Sequence, residues 1–581
     1  MRVLDAAAVF GRSIVVTNQA ALSLSGAAAG LTVGNLTLGE PGAPVSLHMD
    51  AGDRITVTNS GGLTLASCGL FFGSPSTDGT YDLFRCAGSV DGSVLNNLAV
   101  FNPALGKDYT FTIVPDDTDS IIRLTVADFA ITEAVWNGSQ GSDWNTAANW
   151  TPAELPTNGT RTFFNADGEQ KTVNLSAPAV CTYLNFNSAE PYLLQGAQLS
   201  VAVGGVSNTL GTHTLAMPLA LAGGITVGTA SASTTTVSGA VSGNLATTVT
   251  KTGSGTLTLS GDNAAFAGTW QTSGGRLEAA SPTALGGANT ATDAVTLGAG
   301  TFTYSGTPTT LNKGITLNSG NISNAVIIDA RSDLGLIGPF TMQPSLLCKR
   351  GAGALTLTVG NGTTLLSVGS GSGGVNITPS GTINLPENGD APASPTGLGG
   401  FNILEGTFRV KGNGSGVSTV DQRHFGIIGG QFAAALADPV LELDAVRMNQ
   451  GGSGQHLLLG NQMSVASPAR EPTLRLLNGA ILALDHLRMG VATATTFAPT
   501  LVMSNATLSA SWQISIGADN NTAPVVRLMQ GSSANASGGN QWGGGVYVSR
   551  NVDVLVAEGS VLGQSGRSEE HTSELQSRQV I

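Results

Sequence analysis

Asp116, Asp117 and Asp119 crowd hard oxygen ligands into one short stretch, a chemistry that suits a calcium ion. Neither an EF-hand spacing nor a Gly-rich calcium nonapeptide accompanies them, so a solvated acidic turn between two strands is the preferred reading. Trp136, Trp144 and Trp150 gather half of the six tryptophans into one segment, and exposed indoles stack on sugar rings. The competing and preferred role is a plug of large aromatics over the end of a core. His48, His213, His424, His456 and His486 are scattered singly, as surface or packing residues are, without metal-ligand spacing. Cys68, Cys86, Cys181 and Cys348 are dispersed; a Cys68–Cys86 disulfide and buried free thiols both fit. No GxSxG elbow, HExxH, CxxC or Walker loop occurs, and Gly371-Ser372-Gly373-Gly374 precedes strand-like residues rather than a phosphate-binding helix. No catalytic residue, no cofactor and no enzymatic activity are therefore expected.

The elements that would position these residues announce themselves through repetition. Lys251-Thr252-Gly253-Ser254-Gly255-Thr256-Leu257-Thr258-Leu259 recurs as Lys349-Arg350-Gly351-Ala352-Gly353-Ala354-Leu355-Thr356-Leu357. In both, a Gly-x-Gly turn opens onto an apolar/polar alternation of period two, with leucines on one face of a strand and polar residues on the other. Gly261-Asp262-Asn263 then signals a turn, and Gly275–Ala279 and Glu405–Val410 are expected as the returning strands after the two copies. Strand, turn, strand and repeat predict an all-β chain, a right-handed parallel β-helix (β-solenoid) of elongated form.

The run from Thr250 to Leu259, with Ser260-Gly261-Asp262-Asn263 and Phe266-Ala267-Gly268-Thr269, resembles the autotransporter-associated β-strand repeat of bacterial passenger domains. The first copy matches over about thirty residues; the second departs at Arg350 and Ala354 and makes a longer excursion before its second strand. The resemblance implies an exported, surface-displayed β-helix and brings no catalytic residues with it. Trp136-Asn137-Gly138, Asn149-Trp150 and Pro156 likewise resemble the recurrent opening of such passenger segments.

Composition agrees on independent grounds. Charged residues make up 11% of the chain, well below the roughly 25% of ordinary globular proteins, and 79 glycines supply corners. Threonine suits a pleated outer face, and 41% hydrophobic residues suffice for a long core. The net charge of −13 and the lack of a basic patch exclude a nucleic-acid partner. No run has the length of a membrane-spanning helix.

Four stretches are expected. Residues 1–130 hold short strands and form the closing part of a solenoid passenger segment. Residues 131–346 form a second segment, opened by the Trp-rich stretch. Residues 347–566 continue it with coils of 25 to 33 residues, marked by Pro439, Pro472, Pro499 and Pro524, each at the start of a strand. Arg567–Ser577 back-translates into a common sequencing-adapter oligonucleotide, so residues 567–581 read as an assembly artefact and the chain as a fragment.

The function expected from these features is a structural or adhesive one: a stalk or interaction surface at the cell surface, outer-membrane associated, facing surface polysaccharide or a host or neighbouring cell. Two alternatives stand beside it. One is a polysaccharide-active β-helix enzyme, which would gather outward Asp, Glu and Arg or Lys from successive coils. The other is a carbohydrate-binding surface around Trp136–Trp150.

Overall fold

Leu257 and Leu259 point inward and are buried, while Thr256 and Thr258 between them are half exposed, as the alternation requires. The strand they form, Thr256–Leu259, lies parallel and in register with Thr234–Val237 on one side and Arg276–Ala279 on the other. The segment that follows each Gly-x-Gly strand is thus not a hairpin return but the same position one coil later. Repeated along the chain, this stacking forms a β-solenoid of about 17 turns. The structure, a computed structural model, describes residues 2–564 except 360–399 and shorter stretches of nine residues or fewer. The Gly371–Gly374 run, His424, Gln541-Trp542-Gly543 and the tail from Arg567 lie outside the described residues, as does the His456 side chain. Among the described residues, helix is confined to the 3-10 turns Gly92–Asn97 and Ala147–Asn149.

Two compact units divide the chain: residues 1–228, 238–250 and 265–268 form one, and residues 229–237, 251–264 and 269–581 the other. In the first unit, Ala8–Val16, Gly30–Leu38, Arg54–Val57 and Gly79–Ala87 stack in parallel around a core that includes Leu31, Leu36, Ile55 and Phe84. The parallel expectation fails beyond Gly79–Ala87. Asp119–Asp128 runs antiparallel to that strand, and Lys107–Asp116 runs antiparallel to Asp119–Asp128, so a hairpin ends the stack. Its tight turn places Asp117 at φ 53°, a left-handed position that Asp tolerates, and this reverses the chain instead of carrying it into another coil. Lys107, Asp108, Pro115 and Asp116 on the outermost strand discourage further pairing. The same unit holds a second parallel series, Thr132–Trp136, Thr160–Asn165, Ala179–Asn187 and Leu199–Leu210.

In the second unit one face is lined inward by a continuous leucine-rich column. Leu355 and Leu357 align with Phe408 and Val410, then Leu441 and Leu443, Leu474 and Leu476, Leu501 and Met503, and Val526 and Leu528. Pro439, Pro472, Pro499 and Pro524 stand one residue before their strands. The carbonyl of each accepts from the strand-opening residue of the next coil, Thr473, Thr500, Val525 and Asp553 in turn. Proline therefore keeps its acceptor in the ladder where it has no N–H to give. Gly300–Tyr304 and Ala325–Ala330 break the alternation, being buried on both faces.

Candidate functional site

The repeated motif explains itself at its lysine. Lys349 is buried, and its ammonium donates to the carbonyls of Gly353 (2.6 Å) and Glu405 (3.0 Å), with a third, short bond to Gly351. The Glu405 carboxylate closes the corner by accepting from the Gly351 N–H at 3.0 Å. Gly351 has φ 81°, and a Cβ there would lie 2.3 Å from the Ala330 carbonyl oxygen, so the turn requires glycine. Lys251, the matching residue of the first copy, donates likewise to Thr252 (2.7 Å), Gly253 (2.8 Å) and Gly274 (3.4 Å). The copies turn different corners: Thr248–Thr252 and Leu346–Arg350 belong to different sheets. A third buried lysine, Lys313, sits between Thr309–Leu311 and Ile315–Leu317, and its ammonium has no hydrogen-bond partner among the described residues. Burial pushes all three lysines down to about 8. These groups build corners, a role that the sequence alone left unread.

The tryptophan platform is overturned by burial. Trp136, Trp144 and Trp150 are 0%, 1% and 1% exposed, so no ring face is open to a sugar. Trp150 packs edge-on against Trp136 at 5.1 Å and Trp144 at 4.7 Å, and the rings continue through Phe164 and Phe186 to His213. The indole N–H groups are spent internally, Trp136 on the Gln170 carbonyl and Trp150 on the Trp144 carbonyl, both at 2.8 Å. His213 is fully buried, accepts from the Tyr192 N–H through Nδ1 at 3.0 Å and lies 2.8 Å from the Leu210 carbonyl through Nε2. One nitrogen must accept and the other donate, so the ring is neutral, and burial lowers its pKa.

The calcium reading of Asp116, Asp117 and Asp119 meets a cation already in place. Arg85 binds Asp116 at 3.0 Å and Asp119 at 2.9 Å across the hairpin, which raises its own pKa, while Asp117 forms the turn. Among the described residues no three His, Cys, Asp or Glu group to hold a metal ion. Cys68 and Cys86 are free and buried, so the disulfide is not formed; burial pushes their thiols up to about 12 and 11. Cys181 and Cys348 are also buried, both pushed to about 12. His48 stacks on Phe71 at 4.5 Å. His486 adjoins Asp485 at a register shift, where Asp485 also accepts from Ser511 at 2.5 Å.

Outward charges do gather from successive coils. Glu442, buried by its neighbours, accepts from Arg409 Nε at 2.6 Å through one oxygen and from Arg475 Nη1 at 3.5 Å through the other. Asp329 is bound by Arg331 at 3.1 Å and Arg276 at 3.4 Å. In both clusters a carboxylate is gripped by two guanidiniums, reaching at Glu442 from the strands on either side and at Asp329 from a nearby bend and a strand two coil steps away, an arrangement that fixes register and holds anions in place. No family model matches the chain, and neither a curated protein nor a solved structure matches it.

Proposed function

We propose that this chain is a structural and adhesive passenger-type segment of a bacterial surface protein, exported and displayed outside the cell. The observation that carries this reading is the use made of polar chemistry. Lys251, Lys349 and Glu405 secure corners, and Arg409, Glu442 and Arg475 tie coils together. Threonines such as Thr234, Thr236, Thr256 and Thr258 cover the outer strands. Such a body suits a scaffold that resists unfolding outside the cell, and the Lys-x-Gly-x-Gly corner is the feature that the autotransporter-associated repeat shares. Fusing residues 1–566 to an outer-membrane translocation unit tests it. Cleavage of the segment by protease on intact cells, and retention of those cells on a glycan-coated surface, are expected; a segment that stays inside, or displayed cells that adhere no better than controls, overturns the reading.

A polysaccharide-active enzyme is the second reading, favoured by the Arg409–Glu442–Arg475 cluster. Both Glu442 oxygens, however, already accept from guanidiniums, which suits binding better than proton transfer. Release of products from pectin or alginate, abolished by Glu442→Gln, would promote it.

A further inference from the structure

We infer that the outer face carrying Arg409 and Arg475 is the docking surface for an extended acidic polysaccharide; this rests on the adhesive reading above and names its ligand class. Arg409, Glu442 and Arg475 occupy one outward column on three successive coils. Each arginine spends one nitrogen on Glu442, Arg409 through Nε and Arg475 through Nη1. Neither has any other hydrogen-bond partner among the described residues, and the two side chains are 39% and 44% exposed. Arg409 therefore keeps its two terminal amino groups, and Arg475 its Nε and Nη2 edge, for a bidentate grip on an external carboxylate or sulfate. Glu442 aims both forks while itself being withdrawn from solvent.

Spacing selects among polyanions. Both guanidiniums are drawn toward Glu442 between them, and the strands that carry them stand two coil steps apart, about 9.6 Å. That is the advance of one disaccharide in an extended glycan, so the face matches a polymer in which acidic and neutral sugars alternate. Lys411, aligned with Asp444 beside this column, brings the local balance to three cations against two carboxylates. A duplex, with one charge per roughly 1.7 Å, would need many more cations than this column offers. Further along the column Arg527 is already occupied by Asp553, with which it makes a short ion pair, and so falls outside the site.

Binding of the full chain to hyaluronate, in which uronate and neutral sugar alternate, is measured by calorimetry at low salt, beside neutral dextran and a DNA duplex. Hyaluronate binding that weakens with salt is expected, with dextran silent. Arg409→Gln and Arg475→Gln should each weaken it at least tenfold, Arg409→Lys nearly as much because the fork is lost, and Arg527→Gln should leave it unchanged. Circular dichroism establishes that each variant is folded, and Arg409→Lys stands in should the neutral variants fail to fold. Hyaluronate binding indifferent to Arg409 and Arg475, DNA bound as tightly as hyaluronate, or no binding by a chain that still confers adhesion would overturn this site while leaving the adhesive reading intact. Loss of adhesion together with intact hyaluronate binding would overturn the adhesive reading instead.

Discussion

Replacing Lys349 and Lys313 each by methionine should have opposite consequences, although both are buried lysines at corners of the same solenoid. Burial lowers both ammonium groups to about 8, at Lys349 against the raising pull of Glu405, Asp329 and Asp333, so the net penalty on the charged form is similar at the two sites and cancels in the comparison. What differs is the surroundings. At Lys349 the carbonyls of Gly351, Gly353 and Glu405 lose their donor, and all three residues are buried. A buried acceptor left unpaired costs about 1 kcal/mol or more, so three of them separate the two variants by about 3 kcal/mol or more. Lys313 leaves nothing behind, because its ammonium bonds to nothing among the described residues. Urea unfolding at pH 7 should place Lys349→Met below the parent and Lys313→Met above it, and hydrogen exchange should localise the loss to the coils around Gly351–Glu405. Midpoints that move in the same direction by similar amounts would refute the corner role of Lys349.

Because the lysines titrate at about 8 in the fold against roughly 10.4 unfolded, the unfolded chain binds more protons between those values and stability should rise with pH across that window; potentiometric or urea titration of Lys313→Met should show a smaller rise. His213 behaves as a neutral acceptor with a lowered pKa, so stability should fall as pH drops below about 6.5, and His213→Phe, which keeps the stack on Phe186, should flatten that loss in thermal scans from pH 7 to 4.5. Leu257→Asp should cost several kcal/mol of charge burial plus about 2 kcal/mol of apolar contact, and Thr258→Asp less than about 1 kcal/mol. Limited proteolysis of the two variants should find a new cleavage site only with Leu257→Asp, since Leu257 is 1% exposed.

Much of the solenoid is legible because a strand with one buried face must alternate, and Leu257, Leu259, Leu355 and Leu357 do so openly. Elsewhere the pattern is silent: Thr235 is fully buried within a run of threonines, and a hydroxyl residue gives no apolar signal for its inward face. The hairpin at Lys107–Asp128 carried its own mark in Pro115-Asp116-Asp117-Thr118, a turn that reverses a chain, yet evenly spaced short strands read equally well as coils. The buried lysines escaped because a lone Lys is ordinarily solvated, and only the carbonyls that converge in space make its burial tolerable. The docking column was within reach: Glu442, Arg475, Val502 and Arg527 each stand three residues after one of the prolines that mark the late coils, so stacking the repeats places them in one column. Burial of the tryptophans agrees with the preferred plug reading, although an aromatic cluster by itself reads alike whether its rings face sugar or one another.

In-register parallel stacking underlies the corner lysines and the Arg409–Glu442–Arg475 column, and cysteine cross-linking measures it directly. Thr236 and Thr258 are aligned outward neighbours on adjacent coils, about 4.8 Å apart, within disulfide range, whereas Thr234 lies diagonally from Thr258 at about 8 Å, beyond it. Mild oxidation followed by peptide mass spectrometry should find an intramolecular disulfide in the Thr236→Cys/Thr258→Cys chain and little in Thr234→Cys/Thr258→Cys. Equal yields, or a preference for the diagonal pair, would contradict the stacking of these coils.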